Sequence, residues 1–288
     1  MIINLRQLRL LLLVIPLLLV FMFMYKYTLP EAEEEHLVQP EAKKLYGEFL
    51  TWEEARQYFN KYSSATVIDL DTGQQFNVQR RGGSNHADVQ PLTAEDTATM
   101  KAIYNGKWSW KRRAVIVELE NGRKIAASMN GMPHGRGAIV GNNFNGHSCI
   151  HFRNSTTHGS RKVDLAHQMM VWKAANIVEK QIRTLGPEDS IRLFFTALDQ
   201  GEMKLAGSLL DGNEEAAVLE LFRNYDYIRV SAITRLTDNN FKVNVLLGYD
   251  GGRKQLRKDI PLRMIKKNSY WHIDVSSIVV LLQQPGAQ

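Results

Sequence analysis

The chain has 288 residues, 44% of them hydrophobic and 23% charged. That balance excludes an intrinsically disordered chain and allows one large domain or two ordinary ones. The formal charge is +6, from 36 Lys and Arg against 30 Asp and Glu; the excess is scattered, with no basic run of the kind that marks a nucleic-acid tract, so no nucleic-acid partner is expected.

The first element is apolar. Leu10 to Tyr25 (LLLLVIPLLLVFMFMY) carries no charge, with Arg6 and Arg9 before it and Lys26 after it. As a helix it spans roughly 24 Å, slightly short of the ~30 Å hydrocarbon core, a deficit that flanking Arg9 and Lys26 cover by snorkelling. No small-residue cleavage site follows it, which favours an anchor over a cleaved signal, the alternative. The arginines before it and Glu31, Glu33, Glu34 and Glu35 after it orient the N-terminus inside and the rest of the chain outside the cytoplasmic membrane. If the segment is cleaved, the protein is secreted.

Residues 27–50 are polar and acidic and read as a tether. A helix is predicted from Thr51, whose side chain caps it, with Glu54 completing a capping box. TVIDLDTGQQFNVQR (66–80) reads as a hairpin turning at Asp71-Thr72-Gly73, and PLTAEDTATMKAIY (91–104) as a helix capped by Thr93 with Asp96 three residues on. A second hairpin covers 112–132 and turns at Asn121-Gly122. The Gly- and Asn-rich stretch 133–146 is loop, GHSCIHF (146–152) a short strand, and 164–185 one helix stopped by Gly186-Pro187. After that boundary come two short helices, a third at 214–223, and four strands at 226–236, 241–249, 255–267 and 270–280. Helices followed by an antiparallel meander define an α+β layout. The expected organisation is therefore an anchor (1–29), a tether and short helix (30–63), a β-rich domain (64–185) and an α+β domain (186–288).

Cys149 is the only cysteine. Outside the cytosol it has no partner within its own chain, which marks it as intermolecular or reactive. In an extended strand His147, Cys149 and His151 share one face, while Ile150 and Phe152 on the other suit a core. Six of the eight histidines, His86, His134, His147, His151, His158 and His167, fall between residues 86 and 167. A neighbouring imidazolium lowers a thiol's pKa, and a sulfur so activated attacks carbonyl carbons. His167, within the predicted helix, is expected to be solvated. Asp88 or His86 is a candidate for orienting the base. Trp110 either packs or stacks on sugar rings.

His134-Gly135, then His147-Ser148-Cys149-Ile150 with His147 thirteen positions after His134, resembles the motif of L,D-transpeptidase (YkuD-like) catalytic domains over roughly residues 64–160. The resemblance implies Cys149 as nucleophile, His134 as its base, His147 shaping the site, and backbone N–H groups around Ser148 and Cys149 as an oxyanion hole. Ser148 stands where the family has glycine. His151 stands where it has an arginine thought to meet a substrate carboxylate. With Gly135 and His158, these two are the expected substrate-binding residues. The implied activity takes an acyl group from a peptidoglycan stem peptide onto cysteine and passes it to an amine or to water, with no metal and no cofactor. Residues 186–281 resemble NTF2-like (cystatin-like) domains through SIRLFFTALDQGEMKLAGSLL and YWHIDV.

Two other readings stay open at this point. A zinc-dependent wall peptidase would draw ligands from His147, Cys149 and His151 with His86, Asp88, His134 or His158. A non-catalytic, membrane-anchored wall-binding protein would leave Cys149 inert.

Overall fold

The computed structural model describes residues 46–279. The membrane anchor predicted for residues 1–29 and most of the tether that follows it lie outside them. No helix among the described residues is long and apolar enough to cross a membrane.

The chain enters through α1 (Trp52–Tyr58), where Thr51 and Glu54 form the predicted capping box. Six strands follow: β1 (Ser64–Asp69), β2 (Gln75–Gly82), β3 (Ala87–Pro91), β4 (Arg112–Leu119), β5 (Lys124–Asn130) and β6 (Ser148–His151). They close into an antiparallel barrel in the order β1-β2-β3-β6-β5-β4. α2 (Ala94–Ile103) connects β3 to β4 and carries the predicted Thr93/Asp96 capping box. Both predicted hairpins are present, β1–β2 and β4–β5. Strand β3 was not foreseen, since Pro91 and the polar HADVQ obscure its period.

Strand alternation sorts side chains between two cores. Val115, Val117, Ile125, Ala127, Met129 and Ile150 point into the barrel with Val67, Phe76 and Val78. Ala114, Ile116 and Ala126 point outward and pack against Met169 and Met170 of α3 (Leu165–Ala174). The helix predicted over 164–185 is broken in two: Asn176 adopts φ +57°, a left-handed conformation that ends α3 before α4 (Val178–Ile182).

Gly186 and Pro187 then start α5 (Pro187–Gln200) rather than merely stopping what precedes them, with proline at a position where its missing N–H costs nothing. α6 (Met203–Ser208), β7 (Leu210–Asp211), α7 (Glu215–Arg223), β8 (Tyr227–Arg235), β9 (Asn240–Tyr249), β10 (Lys254–Lys267), β11 (Tyr270–Asp274) and α8 (Val275–Val279) complete the chain. The second sheet has the order β7-β11-β10-β9-β8. In β9, Phe241, Val243, Val245 and Leu247 face α5, whose Ile191, Phe194, Phe195 and Leu198 join them in the core that also holds α3. The last predicted strand, 270–280, ends at Asp274, whose side chain accepts from Ser276 N–H and Ser276 Oγ and turns the chain into α8. The architecture is thus mixed: a closed barrel before Gly186 and a helix-covered antiparallel sheet after it, sharing one core through α3 within one compact unit.

Candidate functional site

The site grows from one register pair. In β3, Ala87 and Val89 join the barrel core, so Asp88 faces outward; in β6, Ile150 faces the core, so Cys149 faces outward. Asp88 and Cys149 pair directly across the two strands. The Asp88 carboxylate is therefore placed beside the sulfur by backbone pairing, with Oδ1 3.9 Å from Sγ.

The preceding loop doubles back over this pair. His134 and His147 exchange both backbone hydrogen bonds, at 3.0 and 2.8 Å. Two glycines permit that approach. Gly146 has φ +115°, and a Cβ there would lie 2.5 Å from the His134 carbonyl oxygen; Gly135 has φ +63°, and a Cβ would lie 2.5 Å from His147 Cε1. The pairing brings His134 Nε2 to 3.2 Å from Cys149 Sγ. His134 Nδ1 lies 2.8 Å from the Met132 carbonyl oxygen, to which it donates, so Nε2 carries the lone pair that faces the thiol. Its orienting partner is thus a backbone carbonyl, not Asp88 or His86. Burial, above all, lowers the His134 pKa and keeps the ring neutral.

His147 Nδ1 likewise donates to the Arg136 carbonyl oxygen at 3.0 Å, and its Nε2 is buried with no hydrogen-bond partner. His158 is half-exposed, with Nε2 3.1 Å from Asp88 Oδ1. His86 is buried, its Nε2 3.2 Å from the same oxygen. Burial pushes the Asp88 pKa up, but the hydrogen bond from His86 and the fields of His147, His86 and His158 outweigh it, and the carboxyl is held below its ordinary range.

The thiol differs from the sequence expectation. Cys149 is 3% exposed, and burial, reinforced by the adjacent Asp88 carboxylate, drives its pKa well above the usual thiol value. It is a neutral thiol facing a neutral imidazole, not a standing thiolate beside an imidazolium. The sulfur's surroundings are nonetheless polar: Asp88, His134, His147 and His158 meet around it.

His151 and His167 also depart from expectation. His151 shares the outward face with Cys149, but α3 covers it. Its ring is 2% exposed and stacks between His86 (4.4 Å between centroids) and His167 (3.7 Å). It is not placed to meet a substrate carboxylate. His167, predicted to be solvated, lies on the buried face of α3 with Nδ1 2.9 Å from Ser128 Oγ. Burial pushes both imidazoles well below their ordinary pKa. Ser148 is buried in extended backbone that needs no glycine. Because β6 pairs with β3 through Ser148 and Cys149, the backbone donors expected there lie within a sheet ladder.

Beside the site a cleft of about 680 Å³ runs between the barrel and the second sheet, lined by Trp110, Arg112, Asp164, Arg192, Asp199 and Arg229 among others. Trp110 links the two regions, its half-exposed indole 5.2 Å from the His134 ring.

No family model matches the chain, and no curated protein is similar enough to register. Among solved structures, an "Ntf2 like protein involved in plasmid conjugation" aligns at 12% identity over 75% of this chain and 72% of its own, with a TM-score of 0.22. A Bdellovibrio bacteriovorus protein, Bd1075, aligns at 12% identity over 74% of this chain and 91% of its own, also with a TM-score of 0.22. Likenesses this weak carry no argument.

Proposed function

We propose that the protein is a cell-wall enzyme of the L,D-transpeptidase or L,D-carboxypeptidase type, held outside the cytoplasmic membrane by its N-terminal segment. It transfers or hydrolyses acyl groups of peptidoglycan stem peptides through Cys149. The observation that carries the reading is the 3.2 Å approach of His134 Nε2 to Cys149 Sγ, with the base's other nitrogen committed to Met132.

In this mechanism Sγ attacks the donor carbonyl carbon as its proton passes to His134 Nε2. Both groups start neutral, so proton transfer accompanies attack. The tetrahedral intermediate collapses to a thioester, and the leaving amine takes the proton from His134. An acceptor amine or water then gives its proton to Nε2 and attacks the thioester; the thiol leaves and recovers the proton. The cleft beside Trp110, about 680 Å³, has the volume of a small-ligand site, and Arg192 and Arg229 on its wall suit carboxylate groups. Arg192, Phe195, Asp199, Tyr227 and Arg229, from the part of the chain read as an NTF2-like domain, form one side of that cleft.

The test is incubation of the full chain with muropeptides, beside Cys149→Ala, with mass spectrometry of the intact protein. An acyl adduct is expected in the parent and none in the variant. Equal products from both would end the reading.

A further inference from the structure

Acyl transfer of this kind uses one imidazole, yet the sulfur sits among several. Cys149 Sγ and one nitrogen each of His134, His147 and His158 lie within 4.8 Å of one another. Tetrahedral zinc, with Zn–N of about 2.0–2.1 Å and Zn–S of about 2.3 Å, needs ligand separations of roughly 3.3–3.6 Å. The Sγ–Nε2 distance to His134 is already 3.2 Å. His158 is half-exposed, and to close the set its Nε2 turns from His86 Nε2 (2.9 Å) and Asp88 Oδ1 (3.1 Å) to the ion.

Three further observations point to a cation. His134 and His147 each donate Nδ1–H to a backbone carbonyl, of Met132 and Arg136. This is the outer-shell arrangement that fixes the tautomer and aims Nε2 at a metal. His147 Nε2 is buried with no hydrogen-bond partner, its nearest charged neighbour Asp88 Oδ1 at 3.8 Å, and it faces the cluster. Asp88 Oδ1 lies 3.1 Å from His158 Nε2 and 3.9 Å from Sγ, so its carboxylate and a thiolate together match a divalent charge. The unsatisfied His147 Nε2 is a cost in the metal-free protein that a cation relieves.

We propose that this cluster binds one soft divalent cation, Zn2+ foremost, through Cys149 Sγ and the Nε2 atoms of His134, His147 and His158, and that the bound ion silences the thiol. On binding, the S–H bond breaks, its proton leaves to solvent and a metal–sulfur bond forms, with no change in oxidation state. The ligand set differs from the one the sequence suggested, because His151 is turned into the stack under α3. Four protein ligands leave no open position for a water nucleophile, so the ion here blocks chemistry instead of performing it. The binding stands alone; the silencing rests on the acyl-transfer reading.

The full chain, stripped with chelator and kept anaerobic, is titrated with Co2+ and then Zn2+. One equivalent of Co2+ should produce thiolate-to-cobalt charge-transfer absorption that Zn2+ bleaches. Cys149→Ser should abolish that band, His158→Ala should weaken binding at least about tenfold, and His272→Ala, remote from the cluster, should change neither. In parallel, stripped protein is given muropeptides with and without one equivalent of Zn2+. The expected result is an acyl adduct that zinc prevents. No band at stoichiometric Co2+, or the same band in Cys149→Ser, overturns the site. An adduct that forms equally with zinc, or only with it, overturns the silencing. A normal band with no adduct under any condition removes the acyl-transfer reading and leaves the metal site standing.

Discussion

The stacked histidines make stability depend steeply on mild acid. His151 and His167 are each 2% exposed and held well below their ordinary pKa by burial first, then by the positive charge of Arg112 and the neighbouring imidazoles. The folded state therefore binds fewer protons than the unfolded chain once pH falls below the unfolded histidine value of about 6.5. Their contribution is present above that value and is lost as pH falls towards the folded values. For a ring that stays neutral in the folded state, moving from pH 7 to 5.5 costs on the order of 1 kcal/mol, so the pair costs on the order of 2 kcal/mol. His134 and His272, also lowered by burial, act in the same direction. Asp88, held below the usual carboxylate range, titrates outside this window. The assay is urea unfolding at both pH values, in chelator, for the parent and His151→Phe. The phenyl ring keeps a flat partner between His86 and His167 but cannot titrate, so the variant should lose about half as much. An unchanged unfolding free energy between pH 7 and 5.5, or an equal loss in His151→Phe, would refute the assignment of neutral buried rings.

Three other substitutions probe the site. His134→Ala should slow acyl-adduct formation roughly a hundred- to ten-thousandfold, the range for removal of a general base, measured by quenched-flow mass spectrometry of stripped protein. Asp88→Asn removes the carboxylate that, after burial, raises the Cys149 pKa. The pH midpoint of iodoacetamide alkylation should therefore move down; an upward shift contradicts the sign argued for that charge. Gly135→Ala places a Cβ at φ +63° against the His147 ring and should cost roughly 1–2 kcal/mol of unfolding free energy from the backbone conformation alone. A cost near zero would mean that the loop carrying His134 is not held as described.

What the sequence made legible follows from what is local. Capping boxes at Thr51 and Thr93 and the turns at Gly73 and Asn121-Gly122 are written within a few residues, and all are present. So is the loop that ends at Gly146. The candidate site was legible in part. The order His134, His147, Cys149 pointed to residues that the β6 edge of the barrel does bring together. Asp88 escaped a firm role because its strand is short, polar and ended by Pro91, and its place beside the sulfur depends on β3 pairing with β6 across sixty residues. His151 and His167 were misplaced for the same kind of reason. Period-two alternation gives the face of a strand correctly, but not that α3 later covers that face. The chemistry turns on these non-local facts. A lone cysteine between histidines suggests a ready thiolate; burial and one adjacent carboxylate make it a protonated thiol. Under the proposed acyl transfer such a sulfur acts only when substrate carbonyl and His134 are present together, and under the proposed metal binding only when a cation takes the proton's place.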